Sequence, residues 1–171
     1  LTLRFPDLWA GSAPMVGGPR WNLQNGQNNL RYIENVASLA IRDLQGWQDD
    51  PRMLFNLELA FERLKEVGAS DAELIKFPDH GHSCDPSAVD WDRFFTEKRR
   101  APVPARVVRT SARLDEARAA WLEITAFDGK VAEEFQIKVN ASPYGKLDED
   151  GKRRFHALAG DARTARIEGA M

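Results

Sequence analysis

Residues 39 to 77 carry a pattern that few folds accommodate: an apolar run, an amphipathic helix and a second apolar run, each ended by its own breaker. Leu39-Ala-Ile-Arg-Asp-Leu44 reads as a strand ending at Gly46. Met53, Leu54, Leu57, Ala60, Phe61, Leu64 and Val67 then recur at three- and four-residue steps, the period of a helix with one buried face. Pro51 suits the first turn, where its missing N–H has no partner to lose; Asp50 is placed to cap it, and Gly68 ends the helix. Ala72 to Phe77 alternates as a strand and stops at Pro78-Asp-His-Gly81. A second helix is expected from about Pro86 to Arg99, with Val89, Trp91, Phe94 and Phe95 turned inward. Strand, helix, strand, helix in this order predicts an α/β fold with a parallel sheet and flanking helices.

The flanks are less regular. Pro6 disfavours helix at Phe5, so Leu1, Leu3 and Arg4 read as the last turn of a helix, and the chain is expected to be a piece of something longer. Trp9 to Met15 reads as a buried strand closed by Pro14, Val16 to Asn29 as a long surface loop, and Leu30 to Val36 as a short element. Beyond Ala101-Pro-Val-Pro104, three short strands are expected at Arg106–Thr110, Ala119–Thr125 and Glu134–Val139, with a turn at Asp128-Gly129 between the last two. The expected division is an α/β part over 1–100, a small antiparallel β appendage over 101–141, and a polar tail over 142–171 with a short helix near Asp148 to Ala159.

Composition narrows the function. Twenty-four Lys and Arg against twenty-six Asp and Glu give a net charge of −2, too balanced for a dedicated nucleic-acid surface. No apolar run reaches the roughly 20 residues of a membrane span, and no secretory-signal pattern opens the sequence. Neither nucleic acid nor membrane is therefore an expected partner. One cysteine, Cys84, rules out an intramolecular disulfide and leans toward a reducing, cytoplasmic compartment, although a longer parent protein could be exported.

Two segments stand where parallel-sheet enzymes keep reactive groups, beyond the carboxyl ends of strands. Gly46-Trp-Gln-Asp49-Asp50 follows the first strand, and Asp79-His80-Gly81-His82 follows the second. An acid after one strand and a histidine after a later one are two thirds of a serine-hydrolase triad, in which the carboxylate fixes the imidazole tautomer and stabilises the imidazolium.

Residues 1 to about 100 resemble the C-terminal half of an α/β-hydrolase of the esterase, polyhydroxybutyrate-depolymerase and prolyl-oligopeptidase-like kind. The resemblance rests on Leu3-Arg-Phe-Pro-Asp-Leu-Trp-Ala10, Ser12-Ala-Pro-Met15, Gln45-Gly-Trp-Gln-Asp49 with Gln45 in place of the usual His, and Phe77-Pro-Asp-His-Gly81-His82. Arg106-Val-Val-Arg-Thr110 and Arg118-Ala-Ala-Trp121-Leu-Glu-Ile124 resemble the β appendage of certain bacterial members. By that resemblance Asp49 is the triad acid, His82 the general base, and the complete enzyme hydrolyses a small ester or peptide through an acyl-serine intermediate. It implies no cofactor and no metal. The family's nucleophile motif, Gly-x-Ser-x-Gly, does not occur in this sequence, so the chain alone is expected to be inactive.

Other readings compete. Gly81-His-Ser83-Cys-Asp85 imitates the start of a nucleophile elbow, but Asp85-Pro86 stands where the second glycine belongs, so Ser83 and Asp85 read better as helix caps. His80, His82, Cys84 and Asp85 could ligate a metal, yet no second pair with zinc-like spacing accompanies them. Trp21 and Trp47 are candidates to line a substrate cleft, or simply core and rim. The alternative to a hydrolase segment is a non-catalytic binding module. An incomplete parallel sheet leaves an open strand edge, so self-association or docking of a missing N-terminal segment is expected.

Overall fold

The structure is a computed structural model describing residues 1–19, 29–100, 103–104, 106–111, 113–126 and 165–170. A parallel three-stranded sheet lies at its centre, in the order β1 (Gly11–Ser12), β2 (Ala40–Gly46), β3 (Ala72–Phe77). Ile41 pairs with Ala72 and the ladder runs unbroken to Gly46 opposite Phe77. Helix α1 (Pro51–Glu66) joins β2 to β3, as the sequence period predicts. Asp50 caps it by accepting from the Arg52 N–H. Gly68, at φ +83°, closes it: Gly68 N–H donates to Lys65 O and Ala69 N–H to Leu64 O, satisfying carbonyls the helix leaves free. Phe55, Leu59, Ala60 and Leu64 of α1 pack with Ile41 of β2 and with Ile33 and Val36 of a 3-10 helix over Asn29–Val36. Side chains alternate along a strand, so Asp43 and Gln45 share the α1 face of the sheet with Ile41.

The opposite face is covered by α2 (Trp91–Glu97), shorter than the helix expected over Pro86–Arg99. Asp85 caps a separate 3-10 turn over Pro86–Ala88, and Asp90 caps α2 by accepting from the Arg93 N–H. Two acidic caps five residues apart divide one helical segment into two. Phe94 is buried and carries the Arg42 guanidinium on its ring, whereas Phe95, expected inside, is 56% exposed.

The N-terminal segment also departs from expectation. Leu1 to Phe5 does form one helical turn, closed by Phe5 N–H donating to Leu1 O. Trp9–Met15 is not a continuous buried strand: β1 has two residues, Met15 meets β2 by a single bridge to Leu44, and Trp9 and Met15 are both part-exposed. Pro14 has no N–H to give the ladder; its carbonyl accepts from Leu44, and Val16 N–H returns to Leu44 O.

Strand β4 (Arg106–Ser111) forms where expected, but its antiparallel partner is β7 (Ala165–Ala170), from the segment read as a polar tail. The expected strand over 119–125 is a small hairpin instead, β5 (Arg118–Ala119) against β6 (Leu122–Glu123), turning through Ala120 at φ +51°. The strand expected at 134–139, the turn at 128–129 and the helix near 148–159 lie outside the described residues. Asn35 ties the two parts together: its Nδ2 donates to Leu3 O and Thr110 O, and its Oδ1 accepts from the Thr110 N–H. Arg4 bridges to Glu116 at 2.7 Å beside it, and the buried Arg109 side chain donates to the Arg4 and Glu116 carbonyls.

Candidate functional site

Strands β2 and β3 end side by side, and each hands its chain to a loop on the same edge of the sheet. Trp47 N–H donates to Phe77 O at 2.8 Å, and Gln48 N–H to His80 O at 2.8 Å, so the two loops are stitched together by backbone bonds. Their contact is close at Gly46. A Cβ there would lie 1.9 Å from Gly81 O, 2.6 Å from Ser83 O and 2.7 Å from His80 O, which only glycine permits.

That stitching brings together the two residues singled out from the sequence. His82 Nδ1 lies 2.8 Å from Asp49 Oδ2, and the same oxygen accepts from Gln45 Nε2 at 2.9 Å. The other Asp49 oxygen accepts from the Asp50 N–H at 2.7 Å. Burial pushes the Asp49 carboxyl up, but the Asp50 N–H, His82 and Gln45 together outweigh it and hold the group below its ordinary value. Asp49 is therefore ionised near neutrality. An ionised carboxylate only accepts, so the proton between the two residues sits on Nδ1, and Nε2 carries the free lone pair. The Asp49 side chain is 9% exposed and that of His82 69%, which sets a buried orienting carboxylate behind an accessible imidazole. The arrangement can orient a base and stabilise its imidazolium. Replacing Asp49 with Ala is expected to abolish the Nδ1–H resonance of His82 in proton–nitrogen NMR and return the ring to the Nε2–H tautomer; a tautomer unchanged in Asp49→Ala would contradict the assignment.

Gln45 takes a larger part than its sequence position suggested. It is fully buried, and its Nε2 donates both to Asp49 Oδ2 and to Gly46 O, which fixes the amide group against the carboxylate. Gln45 is one of three polar side chains in β2, with Arg42 and Asp43, and its place at the strand end beside Asp49 was the available signal. Trp47 is half-buried, and its ring lies 3.8 Å from Lys76 Nζ, which also reaches Glu58. Trp21 lies outside the described residues. Ser83 is exposed, and Asp85, not Ser83, caps the following turn through Ser87. Cys84 is partly buried, and burial together with Asp85 and Asp43 pushes its thiol up, away from the reactive thiolate. Among the described residues no three His, Cys, Asp or Glu side chains gather as metal ligands. Comparisons with protein families, with curated proteins and with solved structures find no match to this chain.

Proposed function

We propose that Asp49 and His82 are the acid and general base of a serine-hydrolase site on an α/β-hydrolase-like sheet, acting on a small ester or peptide. The nucleophile comes from a segment outside these 171 residues. The observation that carries the reading is the 2.8 Å Asp49–His82 hydrogen bond, made by residues 33 apart that follow adjacent parallel strands. In this reading His82 Nε2 takes the proton of the serine hydroxyl as its oxygen adds to the acyl carbonyl. The imidazolium, steadied by Asp49, then gives that proton to the departing alkoxide or amine. Water repeats the sequence in reverse roles, returns the serine and releases the acid.

The test is active-site labelling with a fluorophosphonate, run on this chain alone and on the polypeptide extended by its own upstream coding sequence. The extended form is expected to label on serine and to hydrolyse p-nitrophenyl esters, and His82→Ala to reduce both to background; the 171-residue chain alone should do neither. Ester hydrolysis that survives His82→Ala, or an extended polypeptide without a Gly-x-Ser-x-Gly serine, would overturn the assignment.

A further inference from the structure

We propose that the chain self-associates through the outer edge of β3, a second copy pairing antiparallel across a two-fold axis at Leu74. Among the described residues β3 pairs with no strand but β2. Ile41 N–H reaches Asp71 O and Trp47 N–H reaches Phe77 O, so in the parallel ladder the odd-numbered residues from 71 to 77 turn their backbone groups to β2. Ala72, Leu74 and Lys76 turn theirs outward. Pairing centred on Leu74 puts Leu74 opposite itself and Ala72 opposite Lys76 of the second copy. Every outward residue then meets an outward residue, and each such pair exchanges two bonds. No other register uses all of them. The small Ala72 leaves room for the long Lys76 stem across from it.

The side chains agree with that centre. A cleft of about 640 Å³ runs along this edge between β3 and α1, floored by Phe61, Leu64, Ala72 and Leu74 and rimmed by charge. Helix α1 runs back against β3, with Glu58 3.3 Å from Lys76 and Leu64 toward Ala72, which sets Phe61 level with Leu74 near the axis. Strands are about 4.8 Å apart, so helices lying over the β2–β3 pairs of two joined sheets would be about 10 Å apart, the distance at which helices pack. The two clefts become one, and Phe61 fills it from both sides. Antiparallel α1 helices centred there set Glu58 of each copy against Lys65 of the other. The rim is complementary to itself.

This surface is separate from Asp49 and His82 and can be tested independently of them. Sedimentation velocity on the full chain should give a dimer at about 100 µM that dissociates on dilution. Lys65→Glu and Glu58→Lys should each raise the dissociation constant about tenfold by opposing like charges, and mixing the two variants should restore a one-to-one dimer. Leu74→Pro removes an N–H that the sheet within one copy does not use, and should leave a folded monomer. A wild-type monomer at that concentration, whether or not its edge takes up an added extended peptide, overturns the proposal. So does a dimer that none of these variants weakens.

Discussion

Asp43→Asn is expected to stabilise the chain at pH 8 by on the order of 5 kcal/mol while leaving it nearly unchanged at pH 4. Asp43 lies in the middle of β2, 2% exposed, and among the described residues its Oδ1 has no hydrogen-bond partner. Burial pushes its carboxyl up from 3.8 to about 8. The folded state thus keeps a proton that the unfolded chain releases near pH 4, and stability falls as pH rises from about 4 to about 8. Below that window the carboxyl is neutral in both states and costs nothing extra. Each unit of separation is worth about 1.4 kcal/mol, and about four units lie between the two values. Asn has the same shape and no charge to bury, so the slope should vanish with it. Asp49 and Asp71 act in the opposite sense: their lowered values contribute stability that is present above the ordinary carboxylate range and lost as pH falls through their folded values. Urea unfolding of wild type and Asp43→Asn across pH 4–9 measures this, and parallel profiles for the two proteins would refute it.

Gly46→Ala is the second large effect. The added methyl would meet three backbone carbonyls of the loop 80–83, the nearest at 1.9 Å. Carbonyls in a stitched loop cannot rotate aside as a side-chain tip can. The loop must lift, breaking the Gln48–His80 backbone bond and carrying His82 away from Asp49. Overpacking of this kind costs about 3 kcal/mol or more. Denaturant unfolding should register that loss and NMR the disappearance of the His82 Nδ1–H signal, both in one variant. A Gly46→Ala protein of wild-type stability with the signal intact would mean that the two loops are less tightly joined than their hydrogen bonds indicate.

The β2–α1–β3 unit was legible in the sequence because each part is specified locally: the helix by its apolar period, its ends by Asp50, Pro51 and Gly68, the strands by their breakers. The order of Asp49 and His82 was legible for the same reason, since both follow strand ends. What escaped was non-local or a contest between local signals. Nothing in Arg106–Ser111 announces a partner some sixty residues away at Ala165–Ala170. Asp85 and Asp90 each compete to start a helix, and the apolar pattern from Val89 to Phe95 does not say that both will win. The second helix fell short on that account. Gln45 and Asp43 occur at alternate positions of one strand, and sequence shows both as polar interruptions. Only the packed sheet distinguishes them: Gln45 is bonded to Asp49 through its Nε2, whereas Asp43 carries a carboxyl that burial pushes up.

Asn35 has a consequence for how the molecule comes apart. Its amide holds Leu3 with one face and both backbone groups of Thr110 with the other, so β4 is fastened to the 3-10 helix whose Ile33 and Val36 sit in the main core. A buried amide that loses its partners leaves several polar groups unsatisfied at once, which makes partial opening at this point expensive. β4 is therefore expected to unfold together with the parallel sheet, across the break in composition near residue 100.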